Sequence, residues 1–169
     1  FAQDAPLWMR HSVISPDGTT IAFTYKGDIY TVPVAGGRAM QITTNPAYDT
    51  APVWSPDSKR IAFASDRMGS LDVYIVAKDG GEPRRLTTHS GSETPLAFTD
   101  AGHVLFSAGI MPSAEAVVFP SNGQFNQVYR VSVEGGRPTM ISSMPMECIS
   151  INKEGAMLYQ DKKGYEDYW

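Results

Sequence analysis

The sequence predicts an all-β chain folded as a partial β-propeller, with about three complete four-stranded blades and part of a fourth. Three observations carry this reading. Ile14-Ser15-Pro16-Asp17-Gly18-Thr19-Thr20-Ile21-Ala22-Phe23 returns as Trp54-Ser55-Pro56-Asp57-Ser58-Lys59-Arg60-Ile61-Ala62-Phe63, with Ser15 and Ser55 standing 40 residues apart. Paired glycines recur at 36–37, 80–81 and 135–136, each followed by a short strand tipped with Thr or Ser. No segment sustains the three-and-four apolar spacing of an amphipathic helix.

In the first unit, Ser15-Pro16-Asp17-Gly18 has the residues of a type I turn, because proline pre-sets its own φ. It joins the segment before it to the strand Ile21 to Tyr25. Lys26-Gly27 is a tight hairpin turn leading into the strand Asp28 to Val32. Gly36-Gly37 then introduces Gln41-Ile42-Thr43-Thr44. The second unit repeats this as Ile61 to Ala64, Leu71 to Val76, Gly80-Gly81 and Arg85-Leu86-Thr87-Thr88, with Asp66 and Asp72 bracketing Gly69 in what reads as a solvated hairpin. A degenerate third copy, Phe98-Thr99-Asp100-Ala101-Gly102-His103-Val104-Leu105-Phe106, is followed by an insertion from Gly109 to Asn126. That stretch reads as a surface loop, functional or inert. Gln127 to Val133 and Met140-Ile141-Ser142-Ser143 complete the unit. The fourth copy runs from Ile151 to Tyr159, and the chain ends inside or just after its second strand. The boundaries are blades at about 7–45, 48–89 and 93–143 and an incomplete one at 146–169, within a single domain, 1–169. Trp54 and Phe98 occupy matched positions and are expected in the core.

Composition removes several classes of function. Hydrophobic residues at 42% and charged residues at 19% suit a chain with a buried core rather than disorder or a coiled coil. Fourteen Lys and Arg against eighteen Asp and Glu give a net charge of −4. The basic residues are scattered, so nucleic acid is not an expected partner. The longest apolar candidate, Ile29 to Ala35, is broken by Thr31 and Pro33, which leaves no membrane span. The one cysteine, Cys148, reads as a small buried hydrophobe. Phe1-Ala2-Gln3 lacks an initiator methionine, as though an upstream segment had been processed or trimmed.

Reaction chemistry is sparse. His11, His89 and His103 are the available imidazole bases, and no Gly-x-Ser-x-Gly elbow exists; Ser90-Gly91-Ser92 lacks the flanking glycines. Neither a metal-ligand spacing nor a phosphate loop is present, so no catalytic residue, metal or cofactor is expected. Arg10, His11 and Asp49 lie on segments entering the innermost strands. There they either face a ligand in the channel or hydrogen-bond between neighbouring blades. Three units and part of a fourth do not close a ring, since small propellers need about four blades. Both ends are therefore apolar liabilities, Tyr165, Tyr168 and Trp169 among them. The expectation is a piece of a longer protein, or two copies that join to complete the propeller.

The units Trp54-Ser55-Pro56-Asp57-Ser58, Ile61 to Arg67, Asp72-Val73-Tyr74-Ile75-Val76, Gly80-Gly81 and Leu86-Thr87 resemble the propeller repeats of TolB and of tricorn-protease-like peptidases. Trp8-Met9-Arg10-His11 and Tyr25-Lys26-Gly27-Asp28-Ile29-Tyr30, with Tyr159-Gln160-Asp161 and Lys163-Gly164-Tyr165-Glu166, look most like the amino-terminal propeller of bacterial tricorn-like serine peptidases. That resemblance implies a non-catalytic segment of a periplasmic or secreted peptidase, gating peptide access or docking a peptide or protein partner. The family's catalytic serine and histidine have no counterpart in these residues. A stand-alone TolB-like interaction module of the cell envelope is the alternative.

Overall fold

The computed structural model describes residues 8–109, 126–143, 146–152 and 154–161. The first sheet comprises β1 (Arg10–Ile14), β2 (Thr20–Tyr25), β3 (Asp28–Pro33) and β4 (Met40–Gln41). The second comprises β5 (Asp49–Trp54), β6 (Arg60–Ser65), β7 (Asp72–Ala77) and β8 (Arg84–Arg85). A third holds β9 (Glu93–Asp100), β10 (His103–Ala108), β11 (Gln127–Ser132) and β12 (Thr139–Ser142), and β13 (Met146–Ile151) pairs with β14 (Met157–Asp161). Every strand pairs antiparallel with its sequence neighbour, which is the meander of a propeller blade. The expected insertion and the aromatic carboxyl terminus fall on residues 110–125 and 162–169, outside the described residues, as does the side chain of Cys148.

The Ser-Pro-Asp turns fold by local hydrogen bonding. Gly18 N donates to Ser15 O at 2.8 Å, the closing bond of a type I turn. The Asp17 carboxylate then takes bonds from Ser15 Oγ (2.6 Å), Thr19 N (2.9 Å) and Thr19 Oγ1 (2.8 Å). These donors, Ser15 foremost, hold the Asp17 carboxyl down at about 2. Ser55 and Asp57 repeat the arrangement, with Ser55 Oγ donating to Asp57 at 2.5 Å. Where the first turn has Gly18 at φ 73°, the second has Ser58 at φ 57°. The strained serine has a use: Asp17 N donates to Ser58 Oγ at 3.1 Å and ties the two blades together at this rim.

Sequence predicts longer fourth strands than the structure shows. After Ile42 N bonds to Ile29 O at 2.8 Å, the next donor on β3, Ile29 N, bonds the Thr43 hydroxyl at 3.0 Å instead of a carbonyl. Thr87 does the same for Val73 N at 2.9 Å. A side chain replaces the backbone ladder, and the strand ends there.

Side-chain alternation distributes the core. On the second sheet, Ile61, Phe63, Tyr74 and Val76 pack with Ala22, Ile29 and Ile42 of the first sheet and with Trp54. Ala62, Val73, Ile75 and Leu86 point the other way, against Phe98, Val104, Phe106, Tyr129 and Val131. The sheet is thus buried on both sides, and Phe63 is fully enclosed. Three cross-strand ring pairs mark equivalent positions: Phe23–Tyr30, Phe63–Tyr74 and Phe106–Tyr129, with centroids 5.8, 5.9 and 5.7 Å apart. In the first sheet the equivalent face, Ile21, Phe23, Tyr30 and Val32, lines an open groove, and Ile14, at the position matching Trp54 and Phe98, is 59% exposed.

Truncation at equivalent positions should therefore have unequal effects. Phe63→Ala is expected to cost about 3–5 kcal/mol, and Phe23→Ala less, because Phe23, although buried, borders the open groove and is not part of a core shared by two sheets. Urea denaturation of the two variants checks the difference.

Candidate functional site

The hairpins β2–β3 and β6–β7 turn at the rim where the inner strands β5 and β9 begin. Asp49 N donates to Gly27 O at 2.7 Å and Glu93 N to Leu71 O at 2.6 Å, so each blade is pinned to the hairpin of the one before. Polar side chains collect at these junctions because crossing backbone needs partners that the sheets do not supply.

At the first junction Asp49 is fully buried, and Arg67 Nη2 contacts both of its oxygens at 3.1 and 3.0 Å. Arg67 is itself seated: Nε donates to Ser65 Oγ at 2.8 Å, and the guanidinium lies 4.5 Å from the Tyr74 ring and 5.6 Å from Phe63. Half-buried Asp28 accepts from Gln41 Nε2 (3.0 Å) and Thr43 Oγ1 (3.3 Å). Burial pushes its carboxyl above the usual range, and the charge of Asp49 adds to this.

The second junction repeats the plan with a different charge balance. Asp72 and Glu93 are both fully buried, and Arg85 Nη2 stands 2.9 Å from Asp72 Oδ2. Thr87 Oγ1 donates to Glu93 Oε2 at 2.6 Å while accepting from Val73 N. Glu93 Oε1 has no hydrogen-bond partner among the described residues; the nearest cationic candidate, His89 Nδ1, is 3.9 Å away. Burial foremost, with Asp72 beside it, pushes the Glu93 carboxyl up to about 7, against the Thr87 bond and the Arg85 charge.

The residues singled out from sequence fall around the first junction. Arg10 is exposed, with its guanidinium 5.8 Å from the Trp8 ring. His11, at φ 50°, shares a hydrogen bond with Thr50 of the next blade, Nδ1 to Oγ1 at 3.1 Å. Ala51 adopts the same left-handed backbone at φ 51°, and both residues sit where the inner strand bulges. Asp49 meets Arg67 rather than the open channel. Asp72 departs from the solvated hairpin expected of it: its carboxylate is buried, and only Asp66 is exposed. Sequence reasoning passed over Arg67, Arg85 and Glu93. A signal was available, since Asp28 and Asp72, Thr43 and Thr87, and Asp49 and Glu93 are each 44 residues apart. The three histidines stand apart, His103 beside Asp100 at 3.0 Å. Among the described residues no three metal-ligating side chains converge.

Four-stranded antiparallel sheets packed face to face, with a polar rim, define a segment of a β-propeller. Its family model is the tricorn protease N-terminal β-propeller domain, matched over residues 6–169, and the chain belongs to that family. It is 35% identical over 102 residues to Tricorn protease homolog 1 of Streptomyces coelicolor, which covers 60% of this chain and 9% of that protein. The match to the uncharacterized peptidase YuxL of Bacillus subtilis is 32% over 108 residues, 57% of this chain and 16% of that one. The chain thus spans a small fraction of the length of these relatives. In fold it is similar to a putative TolB from Agrobacterium tumefaciens, with a TM-score of 0.74 at 18% identity, covering 93% of this chain and 55% of the other.

Two outcomes follow from the junction charges. Arg67→Ala strands a buried carboxylate and should cost about 3–5 kcal/mol, whereas the double variant Arg67→Met with Asp49→Leu should recover most of that loss, as read by thermal unfolding. Glu93, with its carboxyl raised in the folded state, contributes stability that is fully present below the ordinary glutamate range and fades as pH rises through about 7. Tm measured from pH 5 to 8 should fall more steeply for the parent chain than for Glu93→Gln, and parallel curves would exclude this role.

Proposed function

We propose that this chain is a non-catalytic β-propeller segment of an exported, periplasmic or secreted tricorn-like serine peptidase. It would gate peptide access to a protease domain elsewhere in the polypeptide, or dock a partner beside it. The observation that carries the reading is the family match over residues 6–169. No helix among those residues is long and apolar enough to cross a membrane. Arg10 and His11 are the proposed contacts for a passing peptide, since both stand at the exposed start of an inner strand. Asp49 would act through Arg67, which it holds at a cleft lined also by Thr43, Asn45 and Glu82.

The fold likeness to TolB over 93% of the chain favours a second reading, a stand-alone interaction module of the cell envelope that self-associates to complete its ring. Native mass spectrometry of the endogenous product separates the two. A polypeptide much heavier than 18.4 kDa supports the peptidase segment, and an 18.4 kDa chain in a stable dimer supports the module. For the heavier product, removing residues 1–169 should change kcat/KM for a long peptide by about tenfold while sparing a short one. An equal effect on both substrates would count against gating.

A further inference from the structure

The two blade junctions each hold two acids but treat them differently. At the first, Asp49 is buried against Arg67, while Asp28 is half-exposed and held by Gln41 and Thr43. At the second, Asp72 and Glu93 are both fully buried. Among the described residues one guanidinium meets them, that of Arg85, 2.9 Å from Asp72 Oδ2. Two enclosed carboxylates with a single cation would leave one negative charge that water does not reach, and a group so placed takes up a proton instead.

Hydrogen-bond accounting locates that proton. Val73 N donates to Thr87 Oγ1 at 2.9 Å, so the Thr87 hydroxyl is left to donate to Glu93 Oε2, 2.6 Å away. Oε2 is therefore an acceptor, and the proton belongs on Oε1. Glu93 lies within hydrogen-bonding reach of the Asp72 side chain, and neither Oε1 nor either Asp72 oxygen has a hydrogen-bond partner among the described residues. Two acceptors do not satisfy each other, whereas one proton between them satisfies both. His89 does not supply the donor: its Nδ1 is 3.9 Å from Oε1 and accepts from Gly91 N at 3.0 Å, so that nitrogen has no proton to give. Tyr129 and Glu134 line the cleft beside Glu93, but burial raises the Tyr129 hydroxyl and the Arg84 bond lowers the Glu134 carboxyl, so neither titrates near neutral pH. Arg137, on the same cleft, is exposed.

We propose that Asp72 and Glu93 share one proton, carried on Glu93 Oε1 and donated to Asp72, and that it works as a pH-sensitive latch between the second and third blades. Release of the proton to solvent sets two carboxylates against one guanidinium in an enclosed site. The strain is relieved when the start of β9 moves off the β6–β7 hairpin and admits water, and the bond from Glu93 N to Leu71 O is the contact that yields. Because burial and Asp72 raise the Glu93 carboxyl to about 7, the latch is fully closed below the ordinary glutamate range and is released as pH rises through about 7. The inference is independent of the peptidase reading, since every group in the latch lies in this chain.

The test is residue-resolved amide hydrogen exchange of the 169-residue chain between pH 5 and 8, each rate divided by the intrinsic rate at that pH. Protection of Glu93 N and Val73 N should fall at least about tenfold between pH 5 and 7 and level off above, while that of Asp49 N and Ile29 N, at the first junction, should change by no more than about twofold. Glu93→Gln, whose amide still donates to Asp72, should abolish the fall. In carbon-detected NMR the Glu93 carboxyl should titrate near 7, and Asp72→Asn should lower that midpoint by at least about one pH unit. His89→Gln should leave it in place. Far-UV circular dichroism establishes that each variant is folded. Parallel falls at the two junctions, an unchanged pH response in folded Glu93→Gln, or a Glu93 midpoint that does not move in folded Asp72→Asn would overturn the proposal.

Discussion

One constraint governs this molecule: a four-stranded sheet with apolar side chains on both faces is not stable alone in water. Alternation along β6 sends Ile61 and Phe63 to one side and Ala62 to the other, and β7 follows with Tyr74 and Val76 opposite Val73 and Ile75. Neither half of the core exists without an adjacent sheet. Stability is therefore held in the interfaces between units, as in other repeat architectures. The same alternation gives each of the three four-stranded sheets a Phe-Tyr pair at the same position, which is why the stacked rings recur with nearly constant spacing.

Burying the sheets so completely forces the connecting backbone through narrow junctions, and the polar chemistry of the protein gathers there. Thr43 and Thr87 each serve two groups at once, accepting from a strand amide and donating to a carboxylate. Buried acids then need cations, and the chain supplies them from different places: Arg67 from a hairpin loop and Arg85 from a perimeter strand. Such pairs add little net stability once desolvation is counted, but a misplaced neighbour would leave a charge stranded. Angular placement of one blade on the next is thereby fixed more sharply than apolar packing alone would fix it.

Much of the fold was legible because turns and alternation are local. Pro16 and Pro56 sit in hydrogen-bonded turns, Lys26-Gly27 closes its hairpin at positive φ, and Trp54 and Phe98 are buried as their matched positions suggest. Burial of charge was less legible. Asp72 looks like a loop residue beside Gly69, yet its side chain is sealed by the following strand and by the next blade, neither of which is near it in sequence. Arg67 likewise reads as a surface residue until the rings of Phe63 and Tyr74 are placed beneath it. A 44-residue spacing of carboxylates and threonines carried the information, but it overlies a 40-residue spacing of turns, and the two phases obscure each other.

The perimeter strands β4 and β8 are only two residues long, cut short by the threonine hydroxyls that follow them. An outer edge that brief offers a foreign strand almost no backbone to grip, so amyloid-like zippering along these two blades is disfavoured. Recruitment of another chain is left to the flat sides of the blades. A side already shaped for a blade admits one guest and then is full, which makes assembly self-limiting where an exposed edge would make it open-ended.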